Sequence, residues 1–214
     1  MKKILLSLAT LLFLSANAFA GMNIGIKGAI TNLESEGTET TKSSSEKNTG
    51  SQDETVLVPS IFVEFQADSG IAIGLDYVPG EAELGSGTGS NDDAETSGAN
   101  KASAELSGHA TLYALVPFGS KGTYIKGGIA SATVDTTETL ATGTTYGNED
   151  VYGIMVGVGF QKNGSNGLFF RAEGTYTDYE DVKLNGSLDS DSVRNTVDAD
   201  VDAKAFSISV GKAF

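Results

Sequence analysis

The stretch Phe206-Ser207-Ile208-Ser209-Val210-Gly211-Lys212-Ala213-Phe214 alternates apolar residues with small or polar ones. A period of two is that of a β-strand with one apolar face. In this phase Phe206, Ile208, Val210 and Phe214 share a side, and Ser207, Ser209 and Gly211 occupy the other. Lys212 shares the apolar side, close to the strand end. There a lysine stem lies along apolar surface and sends its ammonium to the polar boundary. One strand buries nothing alone, so the rest of the chain must supply its partners.

The other end of the sequence carries a different pattern. Lys2 and Lys3 precede the apolar run Ile4 to Leu14, and Ala18-Phe19-Ala20 follows it. A basic start, a short apolar run and an A-x-A site read as a cleaved secretory signal peptide, residues 1–20. The run is short for a membrane-spanning helix. No Cys occurs, so no lipid anchor on cysteine, disulfide or thiolate chemistry is expected. Removing Lys2 and Lys3 takes the formal net charge from −14 to −16. Such acidity excludes nucleic-acid binding, which needs a basic face.

Residues 21–214 suit one domain. They are rich in Gly, Thr, Ser, Ala and Val, a composition of strands and turns. Strand patterns fall at 22–32, 55–67, 71–79, 104–118, 123–134, 149–161, 168–180 and 202–214. Short turns follow the second, fourth and sixth: 68–70, 119–122 and 162–167. Long polar connections follow the others: 33–54, 80–103, 135–148 and 181–201. Eight antiparallel strands with short turns at one end and long loops at the other form a transmembrane β-barrel pattern. A soluble sandwich or lipocalin-like barrel shows similar strand spacing. The two differ in which face is apolar.

Mid-strand charges decide between them. One parity gives an outward set: Ile24, Ile26, Ile30; Leu57, Pro59, Ile61, Val63, Phe65; Ile71, Ile73, Leu75, Tyr77; Leu106, Ala110, Leu112, Ala114, Val116, Phe118; Ile125, Ile129; Tyr152, Ile154, Val156, Val158, Phe160; Phe170, Ala172, Tyr176; and the apolar side of 206–214. The opposite parity holds Lys27, Glu64, Asp76, Lys126, Arg171 and Glu173, beside Gly25, Gly74, Ser107, Thr111, Gly153, Gly157 and Gly159. Three bases and three acids in one narrow lumen neutralise one another, whereas each alone would be costly. Counted from the turns, Glu64, Lys126 and Arg171 lie at one level, with Lys27, Asp76 and Glu173 just above. The expected result is a two-layer ionic network. Outward aromatics sort into two bands: Phe65, Phe118, Phe160, Phe170 and Phe214 at the turn end, and Tyr77, Tyr152, Tyr176 and Phe206 at the loop end. Aromatic girdles at both interfaces belong to a membrane barrel.

The chain therefore resembles the small eight-stranded outer-membrane β-barrels, the group of the OmpA transmembrane domain, OmpX-like proteins and the opacity-type porin-family proteins. The resemblance rests on the signal peptide, the segments Ile71-Ala72-Ile73-Gly74-Leu75-Asp76-Tyr77-Val78-Pro79 and Tyr124-Ile125-Lys126-Gly127-Gly128-Ile129, and the ending Val210-Gly211-Lys212-Ala213-Phe214. It implies the bacterial outer membrane, contact with lipid and lipopolysaccharide, and recognition of the aromatic last strand by the barrel-insertion machinery. It also implies that the lumen charges are an interior ionic cluster, either structural filling or a gate. With nothing after the barrel, no peptidoglycan-binding domain is expected.

The long connections hold most of the acid. They include Glu34, Glu36, Glu39, Glu46, Asp53 and Glu54, then Glu81, Glu83, Asp92, Asp93 and Glu95; in and beside the last connection lie Asp178, Glu180, Asp181, Asp189, Asp191, Asp198, Asp200 and Asp202. They read as a solvated, mobile surface. Asp189, Asp191, Asp198, Asp200 and Asp202 alternate as cation ligands often do, and would bind Ca²⁺ or Mg²⁺ weakly through hard carboxylate oxygens. They lack the glycine and terminal Glu of an EF-hand loop. His109, the only histidine, faces the lumen by parity. No nucleophile, base and acid cluster near it, so neither catalysis nor a cofactor is expected. The expected role is structural and surface-exposed, with acidic loops meeting the environment, lipopolysaccharide or a partner. The alternative is a passive small-solute channel gated by the lumenal charges.

Overall fold

Among the described residues, ten strands pair antiparallel in one sheet. They are β1 (Gly21–Thr40), β2 (Lys47–Gln66), β3 (Ala72–Tyr77), β4 (Glu81–Asp92), β5 (Ser97–Pro117), β6 (Thr123–Thr139), β7 (Glu149–Asn163), β8 (Leu168–Tyr179), β9 (Val182–Asn185) and β10 (Thr196–Ala213). The structure is a computed structural model. It describes residues 21–40, 45, 47–92, 97–119, 121–141, 143–187 and 195–214. The expected signal peptide, residues 1–20, and the candidate ligands Asp189 and Asp191 lie outside these residues.

The ring runs β1-β2-β3-β5-β6-β7-β8-β10, and β10 returns to β1 from Asn23↔Ala213 to Thr40↔Thr196. This is an eight-stranded closed barrel. β4 continues the line of β3 along β5, and β9 continues the line of β8 along β10. Two of the eight staves are thus broken, near Val78–Gly80 and Glu180–Asp181. The sequence patterns stop at these breaks, and the strands resume beyond them.

The strands also reach further than the sequence suggests. The segment 33–54, expected as a loop, is largely hairpin, with Leu33↔Glu54 through Thr40↔Lys47 in register. Polar, Gly- and Thr-rich sequence hides such strands, because β-propensity depends on the surface each residue fits. The acidic residues Glu34, Glu36 and Glu39 therefore stand on a paired strand rather than in a mobile loop.

Following the faces upward explains the long strands. Outward residues of β1 run Ile24, Ile26, Ile30, then Asn32, Glu34, Glu36; those of β10 run Val210, Ile208, Phe206, then Lys204, Asp202, Asp200. Inward residues run the opposite way. Asn23, Lys27 and Thr31 give way to Leu33 on β1, and Ser209 and Ser207 give way to Ala203 and Val201 on β10. In the lower half the outside is apolar and the inside polar. In the upper half the outside is polar, and Leu33, Leu84, Leu106, Val134, Val151, Val182, Leu184 and Val201 pack inside. The lower belt exposes Ile26, Ile30, Leu57, Ile154, Phe170 and Ile208 around the ring. Water does not tolerate an apolar surface of that extent, and lipid does. The upper half projects above the lipid, so its apolar side chains turn inward as in a water-soluble barrel. The polar lumen expected from the sequence fills only the lower half.

One phase assignment is corrected. Leu106, expected on the outer face, points inward at 6% exposure. Its outward neighbour is Ser107, expected in the lumen, whose hydroxyl bonds Asp135. The cause is a bulge: β5 pairs β6 at Ser107↔Thr133 and next at Ala110↔Ser131, so β5 carries one extra residue. Gly108 there has φ 58°. An extra residue reverses every face beyond it. In the girdles Phe118, Phe160, Phe170, Phe214, Tyr77, Tyr176 and Phe206 are exposed. Tyr152 is half-buried. Phe65 keeps the outward phase between Met22 and Ile73 but is covered, at 9% exposure.

Candidate functional site in the lumen and wall

The lower lumen is closed by three ion pairs. Arg171 on β8 meets Glu64 on β2, with Nη1 donating to Oε1 at 2.5 Å and Nη2 to Oε2 at 2.8 Å. Lys126 on β6 donates to Glu173 on β8 at 3.1 Å. Lys27 on β1 lies 2.7 Å from Asp76 on β3. All six sequence candidates converge. The Lys126–Glu173 pair joins the two levels assigned to them, so the charges form one network rather than two separate layers.

Neutral donors complete it. Tyr113 donates to Glu64 Oε1 at 2.6 Å, Asn23 donates to Glu64 Oε2 at 3.2 Å, and Tyr124 donates to Glu173 at 2.8 Å. Arg171 donates to Gln161 through Nε at 3.1 Å and Nη2 at 2.7 Å. Its guanidinium also lies 5.1–5.5 Å from the ring centroids of Phe62, Tyr124 and Phe169. Lys126 Nζ sits 4.0 Å from the Tyr113 ring centroid. Buried charges need both pairing and hydrogen bonds; Glu64, Arg171 and Glu173 have both, whereas Asp76 has the Lys27 ammonium at 2.7 Å and no hydrogen bond. Glu64 and Phe169 are 0% exposed, so neither meets water at this level.

The sequence reading missed these supporting residues. Strand parity points Tyr113 and Tyr124 inward, yet nothing in the local sequence marks an inward tyrosine as the partner of a carboxylate on a distant strand. Glycines give the rings their places. A Cβ on Gly211 would lie 2.2 Å from the Phe169 ring, one on Gly25 2.3 Å from Phe62, and one on Gly159 2.2 Å from the Tyr124 hydroxyl. Rings lying over glycine on a neighbouring strand fill an interior that larger residues would overfill.

Above the floor the wall itself opens. β2 pairs β3 only from Gln66↔Ala72 to Ile61↔Tyr77. β4 pairs with β5, and the upper part of β2 pairs with β1. Ala67 N–H donates to Ile71 at the turn, so by alternation Phe65, Val63, Ile61 and residue 59 aim their amide edges at the same neighbour. Residue 59 is Pro and has no N–H to offer. On the facing side Pro79 and Gly80 interrupt the stave. Val78 N–H is held by the His109 carbonyl at 3.0 Å, which ties this break to the β5 bulge.

The gap contains a cavity of about 400 Å³. Its lining includes lumenal Lys27, Asp76, His109 and Lys126, and also Leu57 and Pro59 of the lipid-facing belt. Leu57 is 76% exposed and lies across from Ile30, the last apolar outward residue of β1. The cavity thus touches both lumenal and lipid-facing positions near the upper edge of the belt. A second cavity, about 930 Å³, occupies the upper barrel among Leu84, Val134, Tyr146, Leu184 and Val201.

The remaining candidates are spent locally. Asp198 pairs with Lys183 at 2.9 Å, and Asp202 accepts the Tyr176 hydroxyl at 2.7 Å. The hydrogen bond between Asp200 and Asp181 holds the Asp200 carboxyl above its ordinary range. Among the described residues no three side chains of metal-binding type converge on one point. Lys212, expected to reach the head groups, donates instead to the Asn166 carbonyl in a short turn.

No family model and no curated protein matches the chain. Among solved structures it is similar to the outer membrane protein OprG of Pseudomonas aeruginosa, at 17% identity and TM-score 0.52 over 92% of this chain and 97% of that one. It is also similar to the outer membrane protease OmpT of Escherichia coli, at 9% identity and TM-score 0.53 over 91% and 97%. Likeness at this identity reaches the fold: a bacterial outer-membrane β-barrel, short turns toward the periplasm and long hairpins outward.

Proposed function

We propose that this barrel passes small apolar molecules from the outside medium into the outer leaflet of its membrane. The observation that carries this reading is the cavity in the wall, lined at once by lumenal residues and by lipid-facing Leu57 and Pro59. The apolar upper chamber receives the molecule, since burying apolar surface is favourable wherever water is displaced. The ionic floor blocks a direct path to the periplasm, and the unpaired edge between β2 and β4 is the exit. Irregular backbone at membrane depth is tolerated where it lines such a cavity. This is the channel alternative with its route turned sideways, and the charges act as a stopper. Catalysis forms no part of the reading.

The test is uptake of the apolar fluorophore phenylnaphthylamine by bacterial cells producing the protein. Uptake faster than in cells without it, and slowed by Leu57→Lys, is expected. Equal rates in all three overturn the proposal.

The acidic rim favours a second, surface-exposed role. Glu34, Glu36, Asp53, Asp178, Asp181, Asp200 and Asp202 surround one outward depression. It suits a basic partner, or lipopolysaccharide bridged by hydrated divalent cations. Loss of binding to lipopolysaccharide-bearing vesicles on Asp→Asn substitution at 178 and 202 tests it.

A further inference from the structure

His109 has no role in the floor. Its Nδ1 is buried without a hydrogen-bond partner, and its ring lines the wall cavity. The ring packs edge-on against Tyr179, with centroids 6.3 Å apart. Across the strand from Lys27, buried Ser60 Oγ also lacks a partner. Buried polar atoms are nearly always satisfied, and an orphan calls for an explanation.

Around His109 the cavity is mostly apolar: Ala29, Leu33, Val56, Met155 and Ala203 face it. Its buried charges are matched, Lys27 with Asp76 and Lys126 with Glu173, while Glu81 and Glu83 stand exposed at its rim. A neutral imidazole still offers one donor and one acceptor nitrogen. The bulge explains why the ring is here. The extra residue in β5 and the break in β3–β4 face each other through the Val78–His109 backbone bond. The same irregularity that opens the wall aims its neighbour into the opening.

We propose that His109 is the polar anchor of a binding site in the wall cavity, and that the ligand is an amphiphile with a hydrocarbon tail and one neutral hydrogen-bonding head, of the kind found in a medium-chain alcohol. The head satisfies the imidazole and the tail lies along the apolar lining toward Leu57. The volume, about 400 Å³, suits such a molecule. This inference rests on the conduit reading and names its substrate class.

The chain has a single histidine, so ¹⁵N-histidine labelling yields one ring spin system. In lipid nanodiscs, octanol is expected to shift the ring nitrogens saturably, and octane of equal chain length is not. The ¹³C-methyl signal of Met155, which also lines the cavity, follows binding in His109→Leu. There octanol affinity is expected to fall about fivefold, the worth of one hydrogen bond, to that of octane. Heat-modifiable gel mobility checks that the variant folds. Equal ring shifts with both ligands, no ring shift with octanol, or unchanged octanol affinity in His109→Leu overturns the proposal. Fluorophore uptake separates the two readings: uptake that survives without octanol selectivity leaves the conduit standing and removes the anchor.

Discussion

Arg171 grips Glu64 with both terminal nitrogens, at 2.5 and 2.8 Å, across 107 positions of sequence. Neither reaches bulk water; their side chains are 2% and 0% exposed. Removing Arg171 alone strands a buried carboxylate. Arg171→Met is expected to cost roughly 3–5 kcal/mol, the range for breaking a buried pair. Arg171→Met with Glu64→Gln should recover much of that. Urea unfolding in nanodiscs, followed by gel mobility, measures both. Single-channel recording of Arg171→Ala tests the stopper: steps of conductance are expected where the parent protein is silent.

Gly211 and Phe169 form a second dependent pair. A methyl group on Gly211 meets the ring at 2.2 Å, and the ring is fully buried. Gly211→Ala is expected to destabilise the barrel by about 1–3 kcal/mol, the usual cost of overpacking. Gly211→Ala combined with Phe169→Leu should cost less than the sum of the single changes. A double-mutant cycle by urea unfolding gives that coupling.

Gly108 sets the bulge with φ 58°, and a Cβ there would meet nothing within 4 Å. Its requirement is therefore conformational. Gly108→Val is expected to cost about 1–2 kcal/mol through the left-handed backbone. It should also slow phenylnaphthylamine uptake, if the bulge holds the wall open. Stability and uptake measured on the same preparation separate the two effects.

Asp200 stands on the water-exposed part of β10, and its carboxyl is held above its ordinary range by the hydrogen bond to Asp181. A raised carboxylate means that the folded hairpin binds more protons than the unfolded one. Its stability is thus greatest in acid and falls as pH rises through the folded-state value. Asp200→Asn is expected to protect the β9 amides, Val182–Asn185, more strongly than the parent at pH 7, with the difference vanishing near pH 4. Hydrogen exchange at the two pH values checks this.

The barrel was legible because charge and parity constrain each other. Six mid-strand charges of balanced sign require one interior, and the apolar alternation of Ile24 to Ile30 or Tyr152 to Phe160 requires lipid on the other face. The upper barrel was not legible in the same way. Once strands leave the bilayer, Leu33 and Val201 belong inside and Glu34 and Asp200 outside, so the rule that worked below inverts. A reader applying one polarity along the whole chain mistakes the upper strands for loops.

By itself the sequence determined the strand ring, its direction and the set of charges that must meet, because a period of two and the cost of a lone buried charge act locally. Tertiary structure alone decided which charge takes which partner, since Arg171 and Glu64 become neighbours only through closure of the ring. It also decided that the wall opens beside His109. Pro59, Pro79 and the extra residue at Gly108 are each unremarkable turn or edge features along the chain. They form an opening only when register sets all three at the same height on facing strands.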